Sequence, residues 1–294
     1  MVSGMVDLDN RHKPDPRGPE SDAAPGSVAP RLDLLIDEHE EEVSENGRTV
    51  RRRGIYLLPN LFTTAGLFAG FYAIVAAMNG RFEPAAVAIF IAMIMDGIDG
   101  RIARLTNTQS DFGKEYDSLA DMVSFGLAPA LVVYIWSLSA LGKIGWLAAF
   151  IYAAAAALRL ARFNTRIGLV DKRYFQGLAS PAAAGLIAGM VWVCNDYGLN
   201  GKELTVMAFF LTVAAGVLMV TNIYYLSFKD LDLKNKVPFI AVVAVMLIFV
   251  FISLSPPEVL LGVFLLYGLS GPVSAVFRMY KKRAQRKALP PPPE

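Results

Sequence analysis

The sequence has almost no cysteine and almost no histidine. Its 294 residues include one cysteine, Cys194, and two histidines, His12 and His39. A single cysteine excludes an internal disulfide framework and any metal site built on several thiolates, and it reads as a small apolar residue of a helix. Both histidines fall in an acidic N-terminal stretch, so residues 40–294 hold none. That part of the chain has no Ser-His-Asp hydrolase, no His/Cys zinc site and no phosphohistidine mechanism. Charge is scarce too: 18% of residues are Asp, Glu, Lys or Arg, against roughly a quarter in soluble domains. The chain is instead 54% hydrophobic with a mean hydropathy of +0.43. An all-α, polytopic membrane bundle is the expectation.

The net charge of +2 conceals an asymmetry: residues 1–50 carry 12 Asp and Glu against 5 Lys and Arg, the remainder 14 against 23. Residues 1–46 lack the apolar core of a signal peptide and read as an acidic, disordered cytoplasmic tail, with a short helix conceivable at 32–37. Arg48 and Arg51 to Arg53, followed by Ile55, Tyr56 and Leu57, predict a basic interfacial helix within 47–58, its arginines facing anionic headgroups. Eight transmembrane helices are expected near 60–78, 83–104, 113–138, 143–164, 179–197, 204–225, 237–254 and 257–279. Lys and Arg gather on alternate loops, with only Arg81, Lys143 and Lys202 on the sparse side. The positive-inside rule then puts both termini in the cytoplasm. Residues 289–294, Leu-Pro-Pro-Pro-Pro-Glu, form an extended Pro-rich tail.

Against this background four carboxylates stand out: Asp96, Asp99, Asp117 and Asp121, at the ends of two apolar runs. An ionisable group in hydrocarbon costs about 3 kcal/mol or more, so these should face a cavity. At 100° per residue Asp96 and Asp99 are about 60° apart, with Gly100 and Ala103 on the same stripe. Gly113, Asp117 and Asp121 recur every four residues and make one stripe on the next helix. The intervening turn, with Ser110 or Asp111 as N-cap, makes the two helices antiparallel neighbours whose stripes can face. Converging carboxylates repel unless cations intervene, and hard oxygen donors select Mg²⁺, Mn²⁺ or Ca²⁺. Gly100, Ala103 and Gly113 leave room for a flat ring or a diphosphate, and Arg104, Arg159, Arg162 and Arg166 add positive charge on the same side. These parts suit phosphoryl chemistry: metals to neutralise phosphate, arginines to clamp it, a carboxylate free to act as base.

The pattern Asp96-x-x-Asp99-Gly100-x-x-Ala103-Arg104, eight residues, then Gly113-x-x-x-Asp117-x-x-x-Asp121 resembles the signature of the CDP-alcohol phosphotransferases, at all eight positions. The resemblance implies a six-helix catalytic core over 59–226 that works as a homodimer, followed by two further helices and a basic end over 227–288. It implies that Asp96, Asp99, Asp117 and Asp121 hold two divalent ions, Mg²⁺ or Mn²⁺, with Asp121 as general base. Gly100, Ala103, Arg104 and Gly113 would surround the CDP moiety, and Pro59-Asn60 with Thr63 resembles the opening of the family's first helix, which also lines the nucleotide pocket. The stretches at 110–130, 158–164 and 175–182 are similar to the phosphatidylserine synthase subgroup, departing from it at Ala179, where proline is more usual.

The resemblance thus implies CDP-diacylglycerol and L-serine as substrates, CMP as leaving group and a bacterial cytoplasmic membrane as the setting, with membrane lipids as neighbours and no nucleic-acid partner. The His-x-Lys motif of the phospholipase D-like route to the same product is missing. Arg159 or Arg162 is expected to meet the serine carboxylate, and Glu115 or a backbone carbonyl the ammonium. Other acceptors, namely glycerol 3-phosphate, inositol phosphate or choline, are the alternatives within the family. From other classes, the alternatives are a cation transporter using the Asp cluster and a scaffold binding partners through its acidic tail.

Overall fold

The computed structural model describes residues 42–45, 48–51, 57–105, 111–165, 174–226, 246–247, 250–251 and 253–288. The chain divides into two compact units, Met1–Arg52 and Arg53–Glu294. In the first, β1 (Glu42–Glu45) pairs antiparallel with β2 (Arg48–Arg51). Glu42 stands opposite Arg51 and Glu45 opposite Arg48, while Val43 faces Val50 and Ser44 faces Thr49. Val43, Thr49 and Val50 are β-branched residues that favour strand, and the expected interfacial helix gives way to strand at Arg48–Arg51. In the sequence, Asn46-Gly47 is a hairpin signal. The acidic tail before residue 42, residues 52–56, the Ser110 cap, Arg166 and the Pro-rich tail lie outside the described residues, as does most of the helix expected at 237–254.

The second unit is helical, apart from one short strand pair among its described residues. Helix α1 (Leu57–Met78) turns at Gly80, φ +70°, into α2 (Phe82–Leu105). The two pack along alanines, Ala69, Ala73, Ala76 and Ala77 against Ala85, Ala88 and Ala92, all buried. Small residues let helix backbones approach closely where lipid supplies no hydrophobic drive between helices. Next come α3 (Asp111–Asp121), a π-helical turn (Met122–Leu127) and α4 (Ala128–Trp136), then a 3₁₀ turn (Leu138–Leu141) and α5 (Lys143–Thr165). Helix α6 (Ser180–Asp196) and α7 (Thr205–Val220) are bracketed by β3 (Tyr174–Gln176) and β4 (Tyr224–Leu226), which pair antiparallel. The helix expected to run to residue 225 thus stops at Val220. Helix α8 (Pro256–Ala288) runs beyond the expected end and packs on α6, where Gly185 and Gly189 receive Phe264 and Leu261.

Among the described residues, four helical segments are long and apolar enough to cross a membrane: Pro59–Met78, Phe112–Trp136, Lys143–Thr165 and Pro256–Lys281. Helix α7 is apolar but shorter, and α2 carries the charged residues of the site. Phe68, Phe71 and Met78 on α1, Trp146 and Phe150 on α5 and Leu266 and Phe277 on α8 are exposed, as a lipid-facing surface requires. The chain is an integral membrane protein of helical architecture.

The helix expected as one piece over 113–138 contains the π turn, and the cause is local. Pro129 has no N–H to give the carbonyl of Phe125 four residues earlier. That carbonyl instead accepts a hydrogen bond from the hydroxyl of buried Tyr152 on α5, at 3.1 Å. The π turn begins one residue after Asp121, a place where such turns recur in functional sites.

Candidate active site

The last turns of α2 carry Asp96 and Asp99, and α3 carries Asp117 and Asp121. The stripes face each other as their spacing required. Carboxylate oxygens of Asp96, Asp99 and Asp117 all lie within 4.8 Å of one another. Asp121, one turn beyond Asp117 on the same stripe of α3, stands beside them. All four line one small pocket together with Thr63, Gly66, Ala92, Ala120 and Ser124. At such separations two unit charges repel by roughly 3 kcal/mol for an effective dielectric constant near 20. One arginine cannot balance four acids. A donor set made of carboxylate oxygens alone, with Asp99 buried, fits a hard divalent cation and excludes a soft-metal site.

The buried Thr63 fixes Asp99. Its hydroxyl lies 2.7 Å from Asp99 Oδ2 and 3.2 Å from the carbonyl of Pro59. One turn away on α1, Ser124 of the π turn donates to the carbonyl of Gly66 at 3.1 Å. Gly70 abuts Ser124 so closely that a Cβ would sit 2.7 Å from the Ser124 Cα. Thr64 pairs its hydroxyl with that of Tyr116 at 2.8 Å and also meets the carbonyl of Asn60 at 2.7 Å. Helix α1 is therefore the strut that ties both acidic stripes in place.

Room for a ligand lies on the outer side of α2. Among the described residues, no atom outside the nearby backbone of α2 itself comes within 4 Å of where a Cβ would stand on Gly97 or Gly100. Ala103 and Gly113 are half-buried at the same end. Arg104 is exposed and donates through Nε to the carbonyl of Gly100 at 2.7 Å, within its own helix. The remaining predicted residues separate. Arg159 is half-buried, donates to the Ser180 hydroxyl at 2.6 Å and interacts electrostatically with Asp96 and Asp121. Arg162 donates to the carbonyl of Val220 at 3.2 Å, capping the end of α7. Glu115 is exposed and, two residues before Asp117, lies about 160° around α3 from it. Asn60 is half-buried at the start of α1.

Several supporting residues escaped the sequence reading. Asn164 Nδ2 donates to Ser118 at 2.9 Å, joining α5 to the helix of Asp117 and Asp121. Ser180 holds Arg159, and Tyr152 satisfies the π turn. Asn164 and Ser180 lie inside the stretches 158–164 and 175–182, but nothing in the sequence names their partners.

Residues 56–223 match the family model described as CDP-alcohol phosphatidyltransferase. The chain is 39% identical over 228 residues to a protein of Helicobacter pylori strain J99 named CDP-diacylglycerol–serine O-phosphatidyltransferase, covering 77% of this chain and 94% of that one. A protein of the same name from Methanocaldococcus jannaschii is 37% identical over 183 residues, 62% of this chain and 80% of the relative. An archaetidylserine synthase from Methanothermobacter thermautotrophicus is 32% identical over 170 residues, 57% and 69% of the two chains. The match spans the helices that carry all four aspartates, and the chain belongs to the CDP-alcohol phosphatidyltransferase family.

Proposed function

We propose that the protein is a CDP-diacylglycerol–serine O-phosphatidyltransferase of phospholipid biosynthesis, working as a homodimer in a bacterial cytoplasmic membrane. In this reading eight helices span the bilayer, 59–226 form the catalytic core, both termini are cytoplasmic and the active site opens to the cytoplasm. The observation that carries it is the convergence of Asp96, Asp99, Asp117 and Asp121 beside the open face of Gly97 and Gly100. The names of the relatives support serine as the acceptor.

Asp96, Asp99, Asp117 and Asp121 would hold two divalent ions, Mg²⁺ or Mn²⁺, which neutralise the diphosphate and the charge that develops on its oxygens when bound. The chain's own groups supply the rest. Gly100, Ala103 and Gly113 admit the nucleotide, with Asn60, Thr63 and Arg104 around it. Asp121 accepts the proton of the serine hydroxyl. The serine oxygen forms a bond to the phosphorus that bears diacylglycerol, the bond from that phosphorus to the bridging oxygen breaks, and CMP leaves with the electron pair. Arg159 is the better-supported partner for the serine carboxylate, because Arg162 is engaged with Val220; Glu115 lies away from the stripe, which leaves a backbone carbonyl for the ammonium.

The test is product formation by purified protein in nanodiscs, with CDP-diacylglycerol and labelled serine, inositol phosphate, glycerol 3-phosphate or choline. Label entering lipid from serine alone is the expected result. Transfer to another acceptor in preference to serine contradicts the serine assignment, and transfer to none contradicts the enzyme.

A further inference from the structure

Three polar side chains on the last two turns of α5 fasten that helix to three different neighbours. Arg159 donates to Ser180 of α6 at 2.6 Å, and Arg162 to the Val220 carbonyl at the end of α7 at 3.2 Å. Asn164 Nδ2 donates to Ser118 of α3 at 2.9 Å. The first two are cations and the third is neutral. Of these three bonds, the one from Asn164 ends on the helix of the proposed base. Ser118 follows Asp117 directly and precedes Asp121 by less than one turn.

The hydrogen bonds fix which way the Asn164 amide points. A hydroxyl has one proton to give, and Ser118 gives its own to the carbonyl of Lys114 at 3.0 Å. Toward Asn164 it therefore only accepts, so the amide turns its NH₂ end to α3. The carbonyl end, Oδ1, is left over, and no donor among the described residues meets it. With one end of the half-buried planar amide tied to α3, the other end is fixed in space as well.

An amino acid with a side-chain hydroxyl presents three groups on neighbouring carbons. In the proposed reaction Arg159 meets the carboxylate and Asp121 takes the hydroxyl proton. The ammonium brings three N–H donors, more than one backbone carbonyl takes up. A neutral oxygen accepts from it without adding a fifth negative charge beside the four aspartates. Arg159 and Asn164 are five residues apart, about 7.5 Å along α5, a span that one small zwitterion bridges with a hydrogen bond at each end.

We infer that Asn164 is a specificity-determining residue: its Oδ1 accepts a hydrogen bond from the acceptor's ammonium, so the site selects an amino acid over a hydroxy acid of the same shape. This rests on the serine reading proposed above. The test uses the full chain in nanodiscs, with labelled serine entering lipid and L-glycerate, which has a hydroxyl where serine has the ammonium, as competitor. In the wild type the glycerate inhibition constant should stand at least about tenfold above the serine KM. Asn164→Ala should raise the serine KM about tenfold, the effect of one lost hydrogen bond to a charged group. Its glycerate inhibition constant should move by no more than about threefold, since a neutral hydrogen bond is worth less, and its KM for CDP-diacylglycerol should stay put. Ser118→Ala breaks the same bond between α3 and α5 but keeps the amide oxygen, and its serine KM should rise less than about threefold. Equal rises in the two variants, or serine and glycerate constants that rise together in Asn164→Ala, mark a strut between helices and overturn the inference. An unmoved serine KM in Asn164→Ala overturns it too. Glycerate that competes as well as serine in the wild type does so without any variant. A wild type that transfers to another acceptor and not to serine defeats the serine reading itself, and the inference with it.

Discussion

Thr63→Val isolates the contact on which the acidic site depends. Valine keeps the shape of threonine and deletes the hydroxyl that lies 2.7 Å from Asp99 Oδ2. Thr63 and Asp99 are only 5% and 4% exposed, so water has little access to replace the lost donor. A hydrogen bond to a charged group is worth about 1.5–3 kcal/mol, and loss of a partner that orients a metal-binding side chain typically weakens the metal about 10- to 100-fold. The loss should appear in metal dependence before it appears in folding, because the helix packing around residue 63 is unchanged. The assay is CMP release in nanodiscs as a function of Mg²⁺ or Mn²⁺. The half-activating concentration should rise at least about tenfold, with turnover largely recovered at saturating metal and Thr63→Ser close to wild type. An unchanged half-activating concentration would refute the role given to this contact, as would a turnover loss that no metal concentration repairs.

Further outcomes follow from the same geometry. Tyr152→Phe strips the Phe125 carbonyl of its donor; an unsatisfied buried carbonyl should cost about 1–3 kcal/mol, read as a lower thermal midpoint. Gly70→Ala forces a Cβ to within 2.7 Å of the Ser124 Cα, so α1 must move off the π turn, and CMP release should fall more than about tenfold while the protein still inserts in membranes. Chelation with EDTA should stop CMP release and Mg²⁺ or Mn²⁺ should restore it, because the donors are all carboxylate oxygens; activity that survives exhaustive chelation contradicts the metal reading.

The acidic site was legible because its information is local. Intervals of three and four residues put Asp96 with Asp99 and Asp117 with Asp121 on single faces whatever surrounds them, and the short link between the helices forces those faces together. The struts were not legible. Thr63 and Asp99 are 36 positions apart, Tyr152 and Phe125 are 27 apart, and Arg159 and Ser180 are 21 apart. Each pairing depends on how helices pack, which leaves no periodic mark on the sequence. Pro129 was visible, but its effect on the helix could not be read without the hydroxyl that arrives from α5. Arg159 and Arg162 look equivalent in sequence, and only the fold separates them, one facing the acids and the other capping α7. The ends of α7 and of the basic run were missed for another reason: three- and four-residue strands gain their stability from a partner strand rather than from their own pattern.

Asp121→Asn is the most direct test of the central claim that these carboxylates perform phosphatidyl transfer. Asparagine keeps the size of the side chain and cannot take a proton from serine. Purified wild type and variant are compared for serine-dependent CMP release and, separately, for binding of CDP-diacylglycerol with divalent metal present. Release should fall by at least about a thousandfold with nucleotide-lipid binding retained within a few-fold. Serine-dependent release at near wild-type rate in the variant would contradict the assignment of this site as the catalytic centre.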